Sequence, residues 1–186
     1  MSKIKQSVDL IFFDSSIPDT ATWMATLRYG APIGCFGLDE MQEKIGRLCG
    51  SGNREIARLT IIGHGDKWHQ SIGVNELRLG GCDYGLGKEE NAVFRSIKPF
   101  FASNAVIVLG GCRVGSTDGI VNALSRILPG IKVRAFTAEQ RPALLGYLES
   151  QGGMVESVNG QVVTRTASNS WDTFDRVLYR IFGTSE

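Results

Sequence analysis

Two residues set among glycines carry the reactive chemistry of this chain. His64 stands between Gly63 and Gly65 after the apolar run Leu59-Thr60-Ile61-Ile62, and Cys112 follows Gly110-Gly111 after Ala105-Val106-Ile107-Val108-Leu109. An imidazole is a general base near neutral pH, and a thiolate is a strong nucleophile toward carbonyl carbon. In open α/β sheets ligands gather beyond the carboxyl ends of the strands, which is where both residues would stand. Neighbouring strands lie ~4.8 Å apart, so pairing of the two runs would bring the side chains at their ends to hydrogen-bond reach or close to it. The spacing therefore predicts acyl-transfer chemistry by a thiol and an imidazole.

Such a site needs helpers. A thiolate is favoured by a nearby imidazole and by a helix N-terminus, and here the histidine is expected to be the larger influence, because Asp118 in the first turn of the next helix opposes that helix's field. The backbone N–H groups of Gly65 and Cys112 are candidate donors to a developing oxyanion, since glycine lets a substrate approach the main chain. Asp14 and Asp66 are candidate orienters of the histidine. Asp66, Trp68, His69, Asp83, Arg113 and Asp118 are candidates for contacting a substrate. The plainer readings are that a cysteine at a strand end is a small buried hydrophobe, that His-Gly is a turn, and that the loop residues are solvated. Neither Gly63-His64-Gly65-Asp66 nor Gly110-Gly111 fits the glycine patterns of phosphate-binding loops.

Composition narrows the function classes. With 186 residues, 42% of them hydrophobic, the chain reads as one domain over 1–186, able to bury roughly 70% of its unfolded surface. A net charge of +1 with scattered basic residues argues against nucleic acid as a partner. No apolar run approaches the ~18 residues of a membrane span, and the first residues do not resemble a signal-peptide core. The expected setting is cytoplasmic, or exported without a cleavable leader. Cys35, Cys49 and Cys82 read as free thiols. No pair of the four cysteines shows C-x-x-C spacing and only two histidines accompany them, so neither a metal nor another cofactor is expected.

The elements that must position the pair follow from hydrophobic periodicity. Residues 8–13 form a near-continuous apolar run, as a strand covered on both faces requires. A short helix is expected over 20–27. Leu38, Met41, Ile45 and Leu48 share one helical face ahead of glycines at 50 and 52. Residues 66–88 read as a loop region with a small hairpin pairing 71–74 with 76–79. A helix through Val93, Phe94 and Ile97, disturbed near Pro99, leads into the cysteine run. Ile120, Val121, Leu124 and Leu128 mark another helix, with Ser116 or Thr117 as its N-cap and Gly130 as its stop, before a strand over 131–136. This alternation predicts an α/β fold: a three-layer sandwich around a mostly parallel sheet of at least four strands, with helices on both faces. A helix over 143–148 follows. Asn159-Gly160 between valine-rich segments then signals a tight hairpin, and Trp171, Phe174, Leu178, Ile181 and Phe182 signal a closing helix.

At these residues the chain resembles the caspase-like cysteine peptidases, the superfamily of caspases, metacaspases, gingipains and clostripain. Its two blocks, an apolar strand ending in His-Gly and another ending in a small residue plus Cys, match residues 59–65 and 105–112. A nearer likeness is to a domain of unknown function found towards the N-termini of very large bacterial surface adhesins, whose first strand is followed by Asp-Ser-Ser, as in Phe12-Phe13-Asp14-Ser15-Ser16. The likeness spans residues 8–155. Members of that family commonly carry Ser before His-Gly and Tyr-Gly before Cys, where this chain has Gly63 and Gly110-Gly111. The resemblance implies a caspase-like fold, His64 as general base, Cys112 as nucleophile, oxyanion donors at Gly65 and Cys112, and a peptide or protein as substrate. A non-catalytic interaction module and another Cys-His acyl transferase on the same fold are the alternatives.

Overall fold

Apolar runs that leave no polar face become the inner strands of a sheet, because only a position covered on both sides accepts them. The computed structural model describes residues 5–16, 32–73, 75–78, 86–138, 140–142, 148–150 and 152–166. Its first half runs β1 (Gln6–Asp14), β2 (Ile33–Cys35), α1 (Leu38–Cys49), β3 (Arg54–Ile62), β4 (His69–Ile72), β5 (Asn75–Arg78) and α2 (Lys88–Ile97). It continues through β6 (Phe101–Leu109), α3 (Gly119–Ile127), β7 (Lys132–Phe136), β8 (Gln140–Pro142), β9 (Leu148–Ser150), β10 (Met154–Val158) and β11 (Gln161–Arg165). Seven strands form one sheet in the order β11-β10-β7-β6-β3-β1-β2, while β4 pairs with β5 and β8 with β9 as separate ribbons. From β2 to β7 every pairing is parallel, and β10 and β11 add antiparallel strands at one edge.

The strands β1, β3, β6 and β7 are consecutive neighbours, and among the described residues one α-helix lies in the connection from each to the next, with β2 also intervening between β1 and β3. Right-handed crossovers stepping in a single direction place their helices on a single face. In keeping with this, α2 packs against both α1 and α3. Helices were expected on both faces; among the described residues they occupy one. The core on that side joins Leu10, Phe12, Leu59, Ile61, Ile107 and Leu109 to Met41, Ile45, Phe94 and Leu124. On the opposite face Ile11, Ile62, Val108 and Phe136 are also buried, at 7%, 4%, 4% and 2% exposure, so the sheet is covered on both sides.

The helix over 38–48, the disturbance at Pro99 (a 3-10 turn at Lys98–Phe100) and the small hairpin all appear, the hairpin shifted to β4 and β5. Asn159 (φ 53°) and Gly160 (φ 80°) make the two-residue turn between β10 and β11, both in the left-handed region that a type I′ turn demands. Buried serines pin this hairpin to α3. Ser125 Oγ lies 2.8 Å from Ser157 Oγ and accepts the Gly160 N–H at 2.9 Å, while Ser157 Oγ donates to Asn122 Oδ1 at 2.6 Å. Two expectations are corrected. Asp118, not Ser116 or Thr117, occupies the N-cap of α3 and makes no side-chain cap bond, its carboxylate being paired with Arg165, while the Thr117 hydroxyl donates to the Lys67 carbonyl at 2.8 Å. Leu148 opens strand β9, where a helix was expected. The rest of that helix, the helices over 20–27 and 171–182, Cys82 and Asp83 lie outside the described residues. No helix among the described residues is long and apolar enough to cross a membrane.

Candidate active site at the carboxyl edge of the sheet

β3 and β6 are parallel neighbours with Ile61 opposite Leu109. His64 and Cys112 are each the third residue beyond that pair, in the loops that leave the same edge of the sheet. Their loops touch through the main chain. A Cβ built on Gly65 would lie 3.0 Å from the Gly111 Cα, 3.1 Å from the Cys112 carbonyl oxygen and 2.6 Å from Val114 Cγ2. Any side chain at position 65 would force the loops apart, so glycine is what allows the base-bearing and thiol-bearing segments to meet.

The side chain that joins them is Gln70, which is fully buried. Its Oε1 accepts the Gly111 N–H at 2.7 Å, and its Nε2 donates to the Ser71 carbonyl at 3.0 Å and to the His64 carbonyl at 3.4 Å. The main chain adds a bridge in which Ser71 N–H donates to His64 O at 2.7 Å and Asp66 N–H to His69 O at 3.0 Å. That pattern leaves the Gly65 N–H outside the ladder, pointing away from β4. A buried amide with all its polar atoms engaged is worth more as a fixture than as a source of stability, since each bond nets only about 1 kcal/mol. Nothing in the sequence marked Gln70; its part depends on β4 folding back over the diglycine ahead of Cys112.

Past the thiol, Arg113 adopts φ 58°, a left-handed conformation that costs a non-glycine residue about 1 kcal/mol. Arg113 N–H donates to Ala138 O at 2.9 Å, Gly115 N–H to Phe136 O at 2.7 Å and Ser116 N–H to Arg113 O at 2.9 Å, and these bonds hold the turn against the end of β7. Arg113 itself is exposed. Cys112 is partly exposed, whereas Cys35 and Cys49 are buried at 0% and 1%. The plain reading of a cysteine as a packed hydrophobe thus describes those two. Burial, helped by the Glu40 charge, pushes the Cys35 thiol up to about 11, and burial likewise raises Cys49. His64 is exposed.

The other sequence candidates are distributed as follows. Asp66 turns to His69, not His64: its Oδ2 lies 2.9 Å from His69 Nδ1, and its Oδ1 accepts the Trp68 N–H at 2.6 Å and the His69 N–H at 3.0 Å. Partial burial pushes this carboxyl up, but the Trp68 N–H and the His69 ring and N–H outweigh it and hold the group below the usual carboxylate range. Trp68 stays 44% exposed on the rim, with the Lys67 ammonium 5.1 Å from its ring centre. Asp118 is paired with Arg165 of β11. Asp14, at the end of β1, is buried; its Oδ1 accepts Ser16 N–H at 2.9 Å and Ser16 Oγ–H at 2.5 Å. Its Oδ2 is buried without a hydrogen-bond partner, as is Ser71 Oγ, and both residues flank Gly63: a Cβ there would lie 3.3 Å from Asp14 Cβ and 2.5 Å from Ser71 Oγ. Neither expected orienter is bonded to the His64 ring. Among the described residues no group of three or more His, Cys, Asp or Glu is placed to hold a metal ion.

No family model, no curated protein and no solved structure matches this chain.

Proposed function

We propose that the protein is a cysteine peptidase of caspase-like fold, with His64 as general base and Cys112 as nucleophile. The observation that supports this best is that the loops carrying the two residues leave the same ends of adjacent parallel strands and meet main chain to main chain at Gly65 and Gly111. In this reading His64 takes the thiol proton, and the sulfur attacks the scissile carbonyl carbon while the carbonyl π pair moves to oxygen. The Gly65 N–H, turned away from β4, and the Cys112 N–H stabilise that oxyanion. Collapse breaks the C–N bond, and the imidazolium returns its proton to the leaving amine, giving a thioester. Water, deprotonated by His64, then attacks the thioester and releases the acid and the free thiol. Trp68, exposed on the rim, supplies an apolar contact for the peptide.

The test is hydrolysis of a peptide library by the wild type, Cys112→Ala and His64→Ala. Cys112→Ala abolishes cleavage, and His64→Ala lowers it about 100- to 10,000-fold, the usual worth of a general base. Folded variants that cleave as fast as the wild type would overturn the reading. A trapped thioester that passes to an amine or alcohol in preference to water would make the protein an acyl transferase on the same dyad. A second reading, a binding module that retains the fold, is favoured by His64 having no carboxylate partner among the described residues, and it predicts no cleavage by any of the three proteins.

A further inference from the structure

We infer that Gln70 is a positioning residue for the nucleophile: its side chain sets the diglycine turn that aims Cys112, and its two ends must be an acceptor and a donor for it to do so. The inference rests on the peptidase reading and names how that site is held together. Cys112 follows Gly110-Gly111, the two residues least able to fix a backbone direction by themselves. Gly110 is anchored at its N–H, which donates to Ile61 O at 2.7 Å within the sheet. At Gly111 the strand ladder has ended, and the bond that holds its N–H comes from Gln70 Oε1, reaching over from β4. The amide also grips the His64 carbonyl through Nε2, so one planar group ties the main chain of the nucleophile to that of the base.

The polarity of the clamp is fixed. Gly111 presents a donor, and His64 and Ser71 present acceptors, so the clamp needs an acceptor at one end and a donor at the other. A carboxylate can take the Gly111 N–H but turns its second oxygen on two carbonyls. A protonated carboxyl accepts at one end and donates at the other, its single O–H serving one of the two carbonyls. Gly111 is matched to the clamp as well, because a Cβ there would lie 2.5 Å from Gln70 Oε1.

The experiment uses the full chain and the variants Gln70→Met and Gln70→Glu. The peptide-resolved rate of Cys112 alkylation by iodoacetamide is followed from pH 5 to 8, alongside kcat and KM on the cleaved peptide and thermal melting. Gln70→Met is expected to lower kcat about 10- to 100-fold with KM little changed, the range expected when a buried N–H loses its partner. It should also shift the Cys112 alkylation rate relative to wild type at every pH. Gln70→Glu should match Gln70→Met at pH 8 and return toward wild type at pH 5 as its introduced carboxyl takes a proton. A loss of packing alone would not be repaired by protonation. A reactive wild-type Cys112 that reacts equally fast in folded Gln70→Met overturns the positioning role and leaves the peptidase reading standing. A wild-type Cys112 no more reactive than the buried thiols overturns the peptidase reading, and the positioning role with it. Should Gln70→Met fail to fold, the acid recovery of Gln70→Glu decides, and a flat ratio to wild type across pH counts against the clamp.

Discussion

At the scale of single residues, the site is distinguished by which polar atoms are spoken for. Asp66 could have served either histidine, and its two oxygens are committed to the turn that carries Trp68 and His69. This commitment has a pH signature. The folded-state carboxyl sits below its ordinary value, so its contribution to the turn is complete above the unfolded carboxyl's range, about 3.9, and is lost as pH falls through the lower folded value. The Trp68 part of the fluorescence, taken as wild type minus Trp68→Phe, is therefore expected to show a step below about pH 4. Asp66→Asn should remove that step. A step there that survives Asp66→Asn would contradict the assignment. The residues visible in the sequence, His64 and Cys112, were legible because each ends an apolar run beside glycine. Gln70 was not, because a buried amide differs from a solvated one only in what folds over it.

At the scale of elements, local chemistry spoke clearly where period or turn type leaves one solution. The 3.6-residue spacing of Leu38, Met41 and Ile45 became α1, with those three side chains buried. Asn159-Gly160 became the left-handed pair of a two-residue hairpin. Ile33-Gly34-Cys35 passed unread, since three residues with a central glycine show no periodicity and form a strand only because β1 offers its edge. The N-cap of α3 was misassigned for a related reason: the Thr117 hydroxyl is drawn to Lys67 O, 50 residues away in sequence, a contact that local sequence does not reveal. The hairpin offers a test that does not touch the site. Gly160→Ala must hold a side chain at φ 80° with its Cβ 2.9 Å from Arg126 Nε, and should lose about 1 to 2 kcal/mol in denaturant unfolding while peptide cleavage per folded molecule stays unchanged. No measurable destabilisation would argue against the turn geometry. A selective loss of cleavage would place the hairpin inside the functional site.

At the scale of the whole molecule, strand order does what no single segment can. The alternation of runs and amphipathic helices implied parallel strands, and the sheet has them, but alternation does not say that β1, β3, β6 and β7 follow one another in sequence across it. That order puts β3 beside β6, sends the three described helices to one face, and brings the loops after the two strands together at one edge of the sheet. It also gives the cysteines different fates: Cys35 and Cys49 end in the core against α1 and β2, while Cys112 emerges beyond β6. The decisive measurement is peptide-resolved mass spectrometry of the native protein after exposure to a set of peptidyl acyloxymethyl ketones at neutral pH. The account predicts an adduct on Cys112, none on Cys35 or Cys49, and loss of the Cys112 adduct in folded His64→Ala. An unlabelled Cys112, or labelling that proceeds at the same rate without the imidazole, would contradict it.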